Sequence, residues 1–449
     1  MNCELCIADS VKEFIEKHLK DDVNRLALAK FPEGIDREFV IRQIHARQVL
    51  SKKLPSWAEN DELVFPKKLS LEQCSSELTA KYKAELLSTK SHEITRREFS
   101  EDSCSLADEK RILIDLTGGM GVDTAFLSDN FDKTYYVEMQ EELCEIAKHN
   151  FKVMNKNIEV VNNNAEHFLT ICDEVDCIYL DPARRDEYGR KMVSLHDCSP
   201  DVVELHDLLL KKAKRVLVKV SPMLDIEMVK KELKDITEIH VVAVRNECKE
   251  ILICQRTTDN GQQTCENSED CLQMIAVDLR ENWNFAFTEN EELEAQWTLA
   301  DNVGRYLYEP GAACMKAGCF KLLSQRYGLD KLHRNSHLYT SDDLISDFPG
   351  RIFEVVNVVP FDKKTKKTIW TLDFEDAKTQ RRKDAKKGSE SLSLCDSATF
   401  KKANVAVRNF PLSAEELKKN LGLQDGSDFY IFGTTMKGEK KVVVLTKKV

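Results

Sequence analysis

Four short groups of residues carry the chemistry this sequence can be read for. Asp115-Leu116-Thr117-Gly118-Gly119-Met120-Gly121 is an acid followed by a glycine turn. Glycines there let the chain turn tightly and let a ligand approach the backbone. Glu138 comes 23 residues after Asp115. An acid at that distance can accept hydrogen bonds from both hydroxyls of a bound ribose, and Met139 stands next to it. Asn164-Ala165 offers an amide to an adenine edge. Asp181-Pro182-Ala183-Arg184 supplies a carboxylate that could orient a reacting group. A glycine turn alone is shared with other nucleotide sites and with plain turns. Taken in order, the four groups point to a nucleoside-containing cofactor.

The elements that must position these groups alternate. Arg111–Leu116 is a short apolar run before the glycines, and Val122–Leu127 follows as helix. Lys133–Glu138, Ile158–Val161, Asp176–Asp181, Arg215–Val220 and Ile239–Val244 read as further strands, with helical stretches between them. Strand and helix in alternation mean a mostly parallel sheet with helices on both faces. Each of the four groups then stands at a strand's carboxyl end, where open α/β sheets bind ligands. Glu250–Cys254 follows the sixth strand after only Arg245 to Lys249. A parallel crossover needs a dozen or more residues, so these two strands pair antiparallel. The expected fold is a doubly wound, mostly parallel seven-stranded α/β sheet with a terminal antiparallel hairpin. It is preceded by an N-terminal helical domain and followed by an α+β region.

Periodic apolar residues (Val11, Phe14, Ile15, Leu19) predict helices over 11–92, including one through Leu71–Leu87. After the polar stretch Thr257–Asp270, Arg351–Val359 and Val405–Phe410 read as strands. Ser413-Ala414-Glu415-Glu416 reads as a capping box opening a helix. Phe429–Phe432 and Lys441–Leu445 read as a closing hairpin. The domain boundaries expected are 1–105, 106–258, 271–345 and 346–449.

An apolar fraction of 42 % without a run of about 18 apolar residues argues for a folded chain with no membrane span. The first residues lack the basic start and apolar core of a secretory signal, which implies a cytoplasmic protein. Fifteen cysteines, an odd number without regular spacing, read as reduced thiols. Cys3 and Cys6 form one CxxC with no second pair, so no metal is expected. The net charge of −11 argues against a nucleic-acid binder, but it is unevenly distributed. Residues 351–449 carry +8, which leaves −19 on the rest. A basic tail suits a polyanion partner, or it is a solvated face balancing an acidic body.

Asp115–Gly121, Glu138, Asn164 and Asp181–Arg184 resemble the motifs of class I S-adenosylmethionine-dependent methyltransferases. Over most of its length the chain resembles a bacterial family of such enzymes with a C-terminal THUMP-like domain. Leu71–Ala84 is similar to that family's segment before the first strand, and Asn404–Ser413 to its C-terminal signature. The resemblance implies S-adenosylmethionine as cofactor, a THUMP-like RNA-binding tail, and methylation of a base in tRNA or rRNA. The cofactor residues it implies are Asp115, Thr117, Gly118, Gly119, Gly121, Glu138, Met139, Asn164, Ala165 and Asp181. Asp181, Pro182 and Arg184 are the catalytic candidates. Thr117 replaces a common glycine, and neutral Asn164 replaces a common acid.

At strand four, Asp181-Pro182-Ala183-Arg184 lacks the aromatic that stacks on a base in amino-group methyltransferases. Arg184 could stack or fork onto a phosphate, or pair with Asp186 or Glu187. Lys219, at the end of strand five, could contact RNA or cap a strand. Lys81 and Lys83 could roof the cofactor or face solvent. Lys363, Lys364, Lys366, Lys367, Arg381, Arg382 and Lys383 could meet phosphates, and Trp370 could stack or fill a core. Two other readings stay open: a protein or small-molecule methyltransferase, and a non-catalytic RNA-binding protein with a decayed core.

Overall fold

Seven strands carry the candidate residues: β1 Ile112–Asp115, β2 Lys133–Glu138, β3 Ile158–Asn162, β4 Val175–Leu180, β5 Ala213–Val220, β6 Ile236–Val244 and β7 Glu247–Arg256. Their order is β3-β2-β1-β4-β5-β7-β6. The first five pair in parallel, and β7 runs antiparallel to β5. The β6–β7 turn places Arg245 and Asn246 at φ 55° and 61°, the left-handed pair that a two-residue hairpin requires. The central strands are buried on both faces, β4 almost throughout. That burial is why they read as unbroken apolar runs rather than as alternations. The parallel order and the antiparallel hairpin are those expected from the sequence, but the sheet has nine strands rather than seven among the described residues.

The computed structural model describes residues 7–88, 110–184, 194–256, 272–370 and 402–449. They form two compact units: residues 1–242 with 249–273, and residues 243–248 with 274–449. Among the described residues no helix is long and apolar enough to cross a membrane.

In the first unit six helices precede β1 among the described residues, and the longer or site-bearing ones are α1 Asp9–His18, α2 Arg37–Lys53, α3 Lys68–Gln73 and α4 Glu77–Leu86. The single helix predicted through Leu71–Leu87 is in fact two. Cys74 is extended (ψ 156°), and the Ser76 hydroxyl accepts the Thr79 N–H at 3.3 Å to cap α4. Serine competes for backbone N–H groups and so favours a cap over a helix interior. Helix α5, Val122–Leu127, follows the glycine turn, and α6, Glu141–Val153, follows β2.

Two buried amides tie the strand-like segment at Val64–Phe65 in place. Gln43 of α2 donates to Phe65 O (3.1 Å) and accepts from Phe65 N–H (3.0 Å). Asn150 of α6 donates to Val64 O (2.8 Å) and accepts from Val64 N–H (2.9 Å). Each amide has a donor and an acceptor side, so each stands in for a neighbouring strand. Around them Leu50, Trp57 and Phe65 share one core with Tyr136 and Phe151.

The second unit contains β8 Gln273–Asp278, β9 Trp283–Thr288, β10 Tyr306–Pro310, β11 Asp330–Lys331, β12 Tyr339–Ser341, β13 Gly350–Pro360, β14 Asn404–Arg408, β15 Phe429–Met436 and β16 Lys440–Lys448. Seven of these form a sheet in the order β11-β12-β10-β13-β16-β15-β14. Only β14–β15 is parallel. The helix between them, Ala414–Leu421, begins with the expected Ser413–Glu416 capping box. Buried Glu309 on β10 accepts from Arg351 Nε (2.8 Å) and Arg408 Nη2 (2.7 Å). The hairpin tip belongs to this unit, where Asp278 accepts from Arg245 N–H (3.1 Å) and Asn246 N–H (2.6 Å).

Replacing Asn150 with alanine would leave a buried N–H and C=O of Val64 without partners. We expect a loss of about 2–4 kcal/mol in urea unfolding. A loss under about 0.5 kcal/mol would show that the amide latch contributes nothing.

Candidate active site

The turn after β1 is built around Asp115. Its Oδ1 accepts the Thr117 N–H at 3.0 Å and its Oδ2 accepts the Thr124 hydroxyl at 2.6 Å. Both ends of the glycine loop are thereby fixed to one buried carboxylate. Gly121 sits at φ 82°, in the left-handed region that glycine adopts without strain. A Cβ on Gly118 would come within 2.2 Å of the Tyr136 ring, and the Tyr136 hydroxyl donates to Gly119 O at 2.6 Å. Glu138, at the end of β2, accepts Gly119 N–H at Oε2 and Gln140 N–H at Oε1, both at 2.9 Å. Each oxygen keeps a lone pair for a further donor.

Thr117, the departure from glycine, joins the exits of β1 and β4, because its hydroxyl accepts the Asp181 N–H at 2.6 Å. Asn164 caps the helix Ala165–Ile171 through its carbonyl oxygen, 2.7 Å from His167 N. Its amide nitrogen has no hydrogen-bond partner among the described residues.

All ten candidate cofactor residues line a single cavity of about 400 Å³. Pro182 lies off its wall. Arg184 belongs to a two-residue strand paired with Cys198, and its side chain, like Arg185, Asp186 and Glu187, lies outside the described residues. A further wall, formed by Ser70, Gln73, Cys74 and Ser75 of the α3–α4 break, escaped the sequence reading.

Beneath the cavity lies a buried charge cluster. Lys83, with no exposed surface, places Nζ 2.8 Å from Glu250 Oε1, 3.1 Å from Asp123 Oδ1 and 3.0 Å from Ser75 Oγ. Asp123 Oδ2 accepts the hydroxyls of Ser75 and Tyr179, each at 2.7 Å. Lys219 Nζ lies 2.5 Å from Asp181 Oδ2, so it is neither a free RNA contact nor a mere strand end. Of the two roofing candidates, Lys83 is inside the fold and Lys81 is exposed, paired with Glu77.

These charges hold one another. Burial works against the Asp123 carboxylate, but Lys83, Lys219 and the two hydroxyls outweigh it and keep its pKa low. Burial likewise works against the Lys219 ammonium, and Asp181, Asp123 and Glu250 hold its pKa well above the usual range. Asp115 has no cation of its own. Burial pushes it up to about 7, against the hydrogen bonds from Thr124 and Thr117.

Glu238, His240 and Cys254 bring ligand atoms within 4.8 Å of one another. Arg256 Nη2 lies 3.1 Å from Glu238 Oε1, and burial pushes the Cys254 thiol up to about 12. Metal ligands must be deprotonated. With Tyr82 O 2.8 Å from His240 Nδ1, the group works as a hydrogen-bonded support for α4.

Comparison with known proteins places this geometry. The crystal structure of a "putative methyltransferase" from Porphyromonas gingivalis W83 is 30 % identical, with a TM-score of 0.77, over 99 % of this chain and 98 % of that one. The THUMP domain-like family matches residues 391–448. The chain belongs to the bacterial class I S-adenosylmethionine-dependent methyltransferase family with a C-terminal THUMP-like domain. A ferredoxin-like domain family matches residues 306–349. A methyltransferase-like protein of Streptococcus mutans, solved with S-adenosylhomocysteine, aligns at 16 % identity over 33 % of this chain and 88 % of its own, with a TM-score of 0.26. None of the curated proteins matches.

Asp115 yields a pH signature for this family member. Its carboxyl is raised from 3.8 to about 7 in the fold, so the folded state keeps a proton that the unfolded chain releases. Its contribution is complete below pH 3.8 and is lost as pH climbs to about 7. We expect Asp115→Asn to flatten the fall in unfolding free energy between pH 5 and 7 by up to about 1.4 kcal/mol per pH unit. Parallel pH profiles for the two proteins would refute the assignment. Lys83→Met strands two buried carboxylates, and we expect it to cost about 3–5 kcal/mol in the same assay. A near-neutral effect would mean that the cluster relaxes.

Proposed function

We propose that this chain transfers a methyl group from S-adenosylmethionine to tRNA or rRNA held by its C-terminal THUMP-like region, in the cytoplasm. The observation that carries the reading is the convergence of four strand exits on one cavity. The bound cofactor supplies an electrophilic methyl group. The residues present suit it. The glycine turn leaves backbone open to the cavity; at Gly119 an added Cβ would meet nothing nearer than 3.8 Å. Glu138 is oriented by two N–H groups with lone pairs to spare for ribose hydroxyls, and Met139 and Asn164 flank the place for adenine.

Asp181 stands at the cavity wall as the group that orients the acceptor. Holding reactants in line can supply about 7–11 kcal/mol of a barrier. The Pro182 ring stiffens the chain beside it. Arg184 follows as the candidate for a base or phosphate contact.

RNA is favoured by the THUMP-like match and by the +8 charge of residues 351–449. Lys363, Lys364, Lys366 and Lys367 are exposed along one short segment. Arg381, Arg382 and Lys383, together with the Trp370 side chain, lie outside the described residues. Binding of this kind follows phosphate and shape and weakens steeply with salt.

Calorimetry with S-adenosylmethionine tests the reading at its base. We expect saturable binding that Gly119→Arg abolishes. An absence of heat at millimolar cofactor would overturn the enzyme reading and leave an RNA-binding scaffold.

A further inference from the structure

Asp181 is shared between the cavity wall and an ion pair. Oδ2 is 2.5 Å from Lys219 Nζ, and the two side chains keep 36 % and 12 % of their surface. Oδ1 has no hydrogen-bond partner among the described residues. Behind this pair stand Asp123, Lys83 and Glu250, so acids and ammonium groups alternate beneath the acceptor position. Asp123 and Glu250, facing Lys219 together with Asp181, keep its ammonium protonated. Lys219 is therefore a hydrogen-bond donor, and it is not a base.

A carboxylate beside an ammonium suits one class of acceptor better than another. A hydroxyl donates one hydrogen bond and keeps two localised lone pairs, so it can give its proton to Asp181 while the oxygen stays free to attack. An exocyclic amine on a base is a donor whose lone pair is delocalised into the ring. It can use the carboxylate, but its nitrogen has no localised lone pair with which to attack. Ala183, two residues after Asp181, gives no aromatic face on which a base could stack.

We propose that the atom methylated by this site is a ribose 2′-hydroxyl oxygen, with Asp181 accepting its hydrogen bond and Lys219 acting as the positioning residue that holds Asp181. The inference rests on the reading of the chain as an RNA methyltransferase and departs from the base acceptor expected from sequence. In the step, the hydroxyl oxygen forms a bond to the methyl carbon of the sulfonium cofactor. The carbon–sulfur bond breaks and its electron pair stays on sulfur. The O–H bond breaks too, and the proton passes to the Asp181 carboxylate and then to solvent. The ether oxonium that forms as oxygen attacks is strongly acidic, so a carboxylate weakened by its ion pair is still base enough.

The test uses the full-length protein, S-adenosylmethionine labelled in the methyl group, and total tRNA and rRNA from a host deleted for the gene. The RNA is digested to nucleosides, and a second portion is hydrolysed in alkali. We expect label in 2′-O-methylnucleosides and in alkali-resistant dinucleotides. Lys219→Met should lower kcat by about 10²-fold while calorimetry shows cofactor binding within about threefold, and Lys219→Arg should restore part of the rate. Label in base-methylated nucleosides would overturn the hydroxyl acceptor and leave RNA methylation standing. Cofactor binding without label in any RNA would overturn the RNA reading, and this inference with it. A Lys219→Met enzyme with unchanged kcat would remove Lys219 from the mechanism.

Discussion

Lys83 has no exposed surface, and its ammonium is the point on which the cofactor side of the first unit is built. A buried cation must be matched in place, because the cost of stripping its water is recovered only by partners at hydrogen-bond distance. Its partners come from three separate stretches of chain: Glu250 from the last strand, Asp123 from the turn of helix after the glycines, and Ser75 from the break between α3 and α4. Satisfying one charge therefore fixes the N-terminal helices, the glycine turn and the antiparallel strand β7 against one another. The same Asp123 holds Tyr179 of β4, whose strand leads directly into Asp181. The geometry of the cavity floor follows from this network as much as from the parallel sheet.

The break at Cys74–Ser76 shows how the network overrides local preference. Helical periodicity continues through Leu71–Leu87, and a continuous helix would leave more backbone hydrogen bonds intact. Interrupting it turns Ser75 inward to Asp123 and frees Ser76 to cap α4. It also brings Ser70, Gln73 and Cys74 to the cavity wall. A local loss of helix is offset by filling the hydrogen-bond needs of a buried carboxylate, which would cost more if left open.

The sheet and the strand-end groups were legible because both leave period and spacing in the chain. Apolar runs of strand length, glycines after the first, and acids and amides at successive strand exits are all local patterns. The charge cluster was less legible because its members are far apart in the chain, Lys83 and Glu250 by 167 residues, and each looks like an ordinary surface residue. Two signs were nevertheless present. Lys83 falls on the same helical stripe as Ala80 and Leu87, both buried. Glu250 opens the apolar run Ile251–Cys254, where a lone acid has no reason to stand unless a cation meets it. In the second unit the Ser413 capping box and the closing hairpin could be read locally. The two arginines on Glu309 could not, because Arg408 lies 99 residues further along the chain.

Thr117 illustrates why a departure from a family pattern is not by itself a sign of decay. A glycine at this position would leave the Asp181 N–H without the hydroxyl that accepts it at 2.6 Å. With threonine, the exit of β4 is tied to the exit of β1, and Asp181 has its main chain held on one side and its carboxylate held by Lys219 on the other. Two restraints on one residue leave a single free oxygen, Oδ1, as its remaining acceptor. A decayed site would be expected to lose such restraints first, since nothing in the stability of the sheet demands that a half-exposed carboxylate be fixed twice. Their presence argues that the position of Asp181 is itself what the surrounding residues are arranged to secure.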